Sequence, residues 1–352
     1  MRILLIGDPH YKADNLDLMT KAEEEIVNVM NERKVDSVII MGDTLNTHER
    51  VLTPVQAQAV KFIKRIARDR PVTVEIGNHD MTANTSWMSD VHSLTALKGW
   101  PNVTIVDETY WDRDNNFIHV PYVAPGRFAE ALVRVEYDPE TATKHPDFIF
   151  CHQERRDCIM GMQVSKSGDL WKSTYPQVFS GHIHEYQVIE NWTYVGTFYQ
   201  QNYGESPDKA LMLLEITGRD EKDRPTFTTE RIRLKSVPVL VTVHLNSNEL
   251  EHFADKIPAE GQVRVIIRLD ESETKTIESN PYYMALESTV AKVVKKVVSN
   301  KASLAENMID QLKTQGRLSA EREQYSIVDI VTGMLSDDLY ALHLWQSEIL
   351  SN

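Results

Sequence analysis

Five short polar motifs, each following directly on an apolar, β-branched run, constrain this chain more than any other feature of its sequence. Residues 2–6 run into Asp8-Pro9-His10, 37–41 into Gly42-Asp43, and 72–76 into Gly77-Asn78-His79-Asp80. Residues 148–151 run into His152, and 178–180 into Gly181-His182-Ile183-His184. Runs of this length and composition read as strands. In an α/β sheet, ligands bind in the crevice beyond the carboxyl ends of the strands, so five strands can carry five motifs to one place. Further strands are expected at 103–106, 117–120 and 194–196. Leu16, Met19, Ala22, Ile26, Val29 and Met30 recur at helical spacing and mark an amphipathic helix ending near Arg33. A second helix is expected over 54–68, with Thr53 as N-cap and Pro54 at its first position. The pattern is that of βαβ crossovers in a layered α/β domain.

The motif residues are chemically coherent: two carboxylates, one amide and four imidazoles, with no thiolate. Such oxygen and nitrogen donors suit Mn, Fe or Zn and are too nitrogen-rich for a dedicated Ca or Mg site. Seven donors exceed what one tetrahedral ion takes and suit two ions sharing a bridge. Each motif alone has a plainer reading, since Gly-Asp after a strand is commonly a turn and a lone His commonly a surface or core residue. All five in order are not what turns produce.

Composition narrows the classes. The 352 residues carry a net charge of −14, which argues against nonspecific coating of nucleic acid while leaving room for a local site. The longest apolar runs are far shorter than the roughly 20 residues of a bilayer span, so no membrane segment is expected. No signal peptide is read at the N-terminus, and a cytoplasmic location is expected, the host cytoplasm if the chain is phage-encoded. Two cysteines, Cys151 and Cys158, are too few for a disulfide framework. Both read as reduced thiols.

The series D-x-H, G-D, G-N-H-D, H and G-H-x-H resembles the calcineurin-like metallophosphoesterases over roughly residues 1–200. The resemblance implies a four-layer α-β-β-α sandwich. It implies one metal held by Asp8, His10, Asp43 and His184 and a second held by Asp43, Asn78, His152 and His182. Asp43 is then the bridge, and His79 stands beside the substrate phosphate without ligating metal. Two divalent cations would keep the site positive despite the acidic protein around it, activate water and polarise phosphate oxygens.

Three features narrow the resemblance to SbcD-type nuclease subunits of DNA double-strand-break repair complexes, and especially to the recombination endonuclease subunits of tailed phages. One is Ile118-His119-Val120-Pro121-Tyr122; another is the segment from Tyr194 to Glu205, close to Y-x-G-S-x-x-Q-x-x-F-G-E; the third is a small β-α-β unit after residue 235. This gives three expected parts: a nuclease domain at 1–235, a small α+β capping and DNA-binding domain at 236–275, and a helical tail at 276–352. Within the tail, helices are expected at 282–300, 304–314 and 327–350. The resemblance implies a Mn-dependent 3′ to 5′ exonuclease and single-strand endonuclease with two Mn2+, where Mg2+, Fe or Zn are the alternatives. It also implies a homodimer and an SbcC-type coiled-coil ATPase docked on the C-terminal helices. Apolar stripes at Leu339, Leu342, Trp345 and Ile349 and at Ile327, Ile330, Val331, Met334 and Leu335 are read either as that docking face or as core. Lys12, Arg113, Arg155 and Arg156 are candidate DNA contacts, with Arg155-Arg156 foremost. Asn46 departs from the family pattern, standing where many members place Asp or His; it is read as the partner of His79. The other readings are a nucleotide phosphodiesterase or phosphoprotein phosphatase of the same superfamily, and a non-catalytic scaffold.

Overall fold

The computed structural model describes residues 1–298, apart from Glu49, Met162 and Glu271, together with Leu312. In chain order the strands begin with β1 (Arg2–Ile6), β2 (Ser37–Ile40), β3 (Val72–Glu75), β4 (Val103–Val106), β5 (Tyr110–Asp112) and β6 (Phe117–Val120). Then come β7 (Phe148–Cys151), β8 (Ile159–Met160), β9 (Gln163–Val164), β10 (Gln177–Ser180), β11 (Gln187–Ile189) and β12 (Trp192–Tyr194). The last are β13 (Leu211–Arg219), β14 (Pro225–Ile232), β15 (Leu240–Asn246), β16 (Gln262–Asp270) and β17 (Lys292–Val298). The helices are α1 (Leu16–Glu32), α2 (Thr53–Ala67), α3 (Phe128–Val133), α4 (Phe253–Lys256) and α5 (Pro281–Thr289). The chain divides into two compact units, one ending at Leu240 and one beginning at Val241.

The first unit holds two six-stranded sheets, ordered β14-β13-β1-β2-β3-β4 and β11-β12-β10-β7-β6-β5. Strands β1 to β4 run parallel in one sheet, and β6, β7, β10 and β12 run parallel in the other. The period-two alternation of each strand then sorts its side chains into layers. On β1, Ile3 and Leu5 face the second sheet, where they meet Phe117, Phe148, Phe150 and Phe179. Leu4 and Ile6 face the other way, onto Met19, Ala22 and Ile26 of α1 and Phe62 and Ile63 of α2. The outer face of the second sheet, with Ile118, Ile149 and Val178, packs on Phe128, Ala131 and Leu132 of α3. The result is an α-β-β-α sandwich. One polar pair lies within it: His119 Nδ1 of β6 lies 2.7 Å from Glu75 Oε1 of β3, both buried, bridging the sheets next to their motif ends.

The second unit contains a three-stranded sheet ordered β15-β16-β17, with a core of Leu245, Leu250, Val263, Val265, Ile267, Leu269, Tyr283 and Leu286. Here one expectation is corrected. The helix anticipated at 282–300 ends at Thr289, and Lys292–Val298 forms a strand pairing parallel with β16. The Val-Val-Lys-Lys-Val-Val sequence is β-branched, and the open edge of β16 gives it hydrogen-bond partners that a helix would not need. The expected helix at 304–314, apart from Leu312, the one at 327–350 and both apolar stripes lie outside the described residues. Smaller differences concern boundaries. The N-cap of α2 is Leu52 instead of Thr53, and β12 ends at Tyr194. No described helix is long and apolar enough to cross a membrane.

Phe150 is fully buried between the sheets, with ring centroids 5.8 Å from Phe179 and 5.4 Å from Phe117. Phe150→Ala is expected to lower unfolding stability in urea by about 3–5 kcal/mol. Val188→Ser, on the exposed edge strand β11, should stay within about 0.5 kcal/mol of wild type.

Candidate metal centre and active site

All five motifs leave the carboxyl ends of parallel strands: β1, β2 and β3 of one sheet, β7 and β10 of the other. Because the two sheets are stacked, their strand ends open onto one crevice. The turns needed to aim the side chains inward are tight. Asp8, His10, Asp43 and His182 all adopt positive φ, a left-handed conformation that non-glycine residues rarely take and that accumulates at functional sites. The flanking glycines leave room for neighbouring ligands. A Cβ on Gly42 would lie 2.2 Å from His152 Nδ1, and one on Gly77 would lie 2.2 Å from Asp43 Oδ1.

The seven anticipated ligands come together as two groups that share Asp43. In one, His10 Nε2 lies 3.1 Å from His184 Nε2 and 3.5 Å from Asp43 Oδ2. In the other, Asn78 Oδ1 lies 3.1 Å from both His152 Nε2 and His182 Nδ1, and Asp43 Oδ2 lies 3.3 Å from His152 Nε2. Asp8 reaches the site from β1, with Oδ1 3.2 Å from the His182 backbone nitrogen, while its Oδ2 is buried with no hydrogen-bond partner.

These atoms fit divalent cations because there are too few protons to go round. His152 Nδ1 sits 2.7 Å from the Met41 carbonyl, which only accepts, so the Nδ1 hydrogen is committed there. A neutral His152 then points the Nε2 lone pair at a carboxylate and an amide oxygen. Within the protein alone, an extra proton must stand in for the cation. Burial opposes that proton, but the charges of Asp43 and Asp8 overcome it and lift His152 to about 9. The other groups respond to the same crowding. Burial pushes His10 and His182 down to about 3, and it lifts Asp8 to about 6 with help from Asp43. Asp43 is held below the usual carboxylate range, because the charge and hydrogen bond of His152 outweigh its burial.

A second ring of residues holds the ligands. The Asp80 carboxylate accepts from the backbone nitrogens of Gly77 at 3.0 Å, Leu45 at 2.9 Å and Thr44 at 3.2 Å. It thereby ties the Asp43 loop to the Asn78 loop. Burial and the nearby Asp43 charge nevertheless lift it to about 7. Glu205 Oε1 lies 3.1 Å from His184 Nδ1, with Lys209 Nζ 3.1 Å from Oε2, an arrangement that fixes the imidazole and turns Nε2 inward. Burial works against its ionisation, but His184 and Lys209 hold Glu205 down at about 2. Sequence reasoning assigned no role to either carboxylate, although both stand in the quoted motifs: Asp80 closes G-N-H-D, and Glu205 closes the segment that begins at Tyr194.

His79 lies at the rim. Its backbone nitrogen donates to Asp43 Oδ1 at 2.8 Å, and its ring meets that of His10 edge-on, with centroids 4.9 Å apart. Its Nδ1 is 2.9 Å from the Asn46 carbonyl. The partner is thus the main chain of Asn46, which corrects the expectation that its side chain serves.

The calcineurin-like phosphoesterase family model matches residues 1–204, more than half of the chain and the stretch that holds the seven anticipated ligands. The chain belongs to this family. It is 32% identical over 282 residues to a protein named phosphoesterase 244L from Invertebrate iridescent virus 6, covering 79% of this chain and 98% of that one. It is 36% identical over 242 residues to phosphoesterase 078R from Invertebrate iridescent virus 3, covering 67% and 69%. It is also 23% identical over 300 residues to exonuclease subunit 1 of Enterobacteria phage T4, covering 77% and 86%. Calcineurin-like phosphoesterases use divalent metals, and Asp43, His152 and His182 cluster closely enough to hold one; His10 and Asp43 form a second cluster with His79, the residue that the resemblance places beside the substrate and not on a metal.

Two of the expected DNA contacts are engaged within the protein. Arg155 is buried, its guanidinium spent on Glu190 at 2.9 Å and on the carbonyls of Trp171 and Arg156. Arg113 lies in the turn before β6, at the amino end of that strand and so at the opposite end of the sheet from the ligands; it stacks on Trp111, 3.6 Å from the ring centroid. Arg156 is exposed, and Lys12 sits two residues beyond His10. Cys151, next to His152 in the chain, is a free cysteine packed in the core.

Mn2+ at a hundredfold excess over Kd should stabilise the wild-type protein by about 2.7 kcal/mol, read as a rise in Tm. Asp43→Ala should abolish that rise. Metal must displace the protons that Asp8 and His152 hold up to about 6 and about 9, so binding weakens as pH falls. The Mn2+-induced rise should therefore grow steadily from pH 5.5 to pH 8; a flat profile would contradict the ligand assignment.

Proposed function

We propose that this phosphoesterase is a metal-dependent DNA nuclease with 3′ to 5′ exonuclease and single-strand endonuclease activity, acting in end processing, recombination and repair. The observation that carries the reading is the pair of donor groups sharing Asp43, with His79 at their edge. The likeness to a phage exonuclease subunit over 77% of the chain favours DNA over other phosphodiesters. Asp8, His10, Asp43 and His184 would hold one cation, and Asp43, Asn78, His152 and His182 the other, with Mn2+ in both places. Bound there, two divalent cations supply Lewis-acid polarisation of the phosphate oxygens and an activated water.

The protein's own groups do the rest. Asp43 and Asp8 leave the loaded site with net positive charge, which draws in a phosphodiester despite the chain's −14. His79 Nδ1 is committed to the Asn46 carbonyl, so it is the imidazolium form that carries a second proton, on Nε2, and passes it to the departing 3′ oxygen as the P–O bond breaks. Arg156 and Lys12 would meet the flanking phosphates. By the same reading, residues 236–275 belong to a small capping and DNA-binding domain. The C-terminal residues dock an SbcC-type coiled-coil ATPase, and two copies of the chain pair through the region of α2 and the loop at 81–98. Viral relatives suit a place in the host cytoplasm.

The test compares single-stranded DNA, hairpin DNA, cyclic nucleotides and p-nitrophenyl phosphate as substrates with Mn2+. Cleavage of DNA is expected, and His79→Ala should slow it by about 10²- to 10⁴-fold while keeping the Mn2+-induced rise in Tm. Hydrolysis of the small phosphates with no cut in DNA would overturn the nuclease reading in favour of a nucleotide phosphodiesterase or phosphatase.

A further inference from the structure

The hydrogen bond from His79 Nδ1 to the Asn46 carbonyl fixes one point of the imidazole, 2.9 Å away, and leaves the plane of the ring to be set by something else. The torsion about the Cβ–Cγ bond of histidine is broad, so a single bond at Nδ1 allows the ring to rock and Nε2 to sweep an arc. A second ring closes that freedom. His48 lies face to face with His79, with centroids 4.7 Å apart and planes 19° from parallel. His10 meets His79 edge-on, at 4.9 Å and 84°. His79 is thus held at Nδ1, on its face and against a third ring. His48 belongs to the loop between β2 and α2, and its Nδ1 lies 3.4 Å from the Met81 carbonyl, two residues after His79, so the stack also joins the two motif loops.

We propose that His48 is a positioning residue for His79, setting by ring stacking the plane in which Nε2 faces the leaving oxygen. The main chain of Asn46 supplies the anchor at Nδ1 and His48 supplies the plane. The stack needs an aromatic face, and a nitrogen at that position is incidental. This inference rests on the proposed role of His79 in phosphodiester hydrolysis.

The test uses the full-length protein and the variants His48→Ala, His48→Phe and His79→Gln. With Mn2+ and single-stranded DNA, His48→Ala should lower kcat by roughly 10- to 100-fold, the scale of a misplaced catalytic group, with KM and the Mn2+-induced rise in Tm unchanged. His48→Phe should recover most of the lost kcat. In parallel, the ring protons of His79, assigned by their loss in His79→Gln, are followed by NMR with diamagnetic Mg2+. They should carry the upfield shift of a stacked ring in wild type and His48→Phe, and lose it in His48→Ala. Wild-type kcat in His48→Ala, or a His48→Phe variant as slow as His48→Ala, would overturn the proposal. If the wild-type protein cuts no DNA, the nuclease reading fails by itself. The NMR arm then decides the stacking: an unmoved His79 signal in His48→Ala overturns it.

Discussion

The Asp43 carboxylate is buried at the meeting of two sheets, and an ionised group there is tolerated only if positive charge and donors surround it. Much of the local architecture follows from that need. One oxygen accepts the His79 backbone N–H, and the other lies between His10 and His152. Gly77 has no side chain because a Cβ would strike the carboxylate. Asp80 gathers three backbone N–H groups and clamps the loop carrying Asp43 to the loop carrying Asn78 and His79. A site built around a buried anion shared by two donor groups is half of an ionic structure, which divalent cations complete.

The sandwich makes that convergence possible. Ligands from positions 8 to 184 approach one another because parallel strands of two stacked sheets end on the same side, and the inner phenylalanine layer fixes how far apart those ends lie. The arrangement is strained where it is useful. Asp8, His10, Asp43 and His182 hold left-handed backbones, and that conformational energy must be recovered from the packed strands beneath them and from bound cations. Orientation is handled one layer out: Met41 directs His152, Glu205 directs His184, and Asn46 with His48 confines His79.

Several features resisted reading from sequence for reasons that are physical. Val293, Val294 and Val297 fall at helical spacing and do not alternate along a strand, and the open edge of β16 selects the strand all the same. Arg155 beside a ligand reads as a phosphate contact until Glu190, 35 residues away in the chain, is seen to neutralise it. Asn46 reads as a weak orienter because sequence displays side chains, whereas the atom that binds His79 is a main-chain oxygen that any residue there would present. His48 carries no motif at all, and its stack on His79 exists only because two loops fold against each other.

What the sequence determined by itself was the inventory and its order: apolar alternating runs that must become buried strands, each ending in a turn that carries oxygen or nitrogen donors. That pattern is local, written in period-two hydrophobicity and in glycines, and it sufficed to read a layered α/β domain and to single out seven candidate donors, while the four-layer sandwich came from the family resemblance. Tertiary structure alone decided which donors face which. It set Asp43 between the two groups, spent Arg155 in an ion pair, sent Arg113 to the far end of the sheet and stacked His48 on His79. Those outcomes depend on distances between residues far apart in the chain, set by how two sheets stack and how their end loops interlock, and no local pattern encodes such distances.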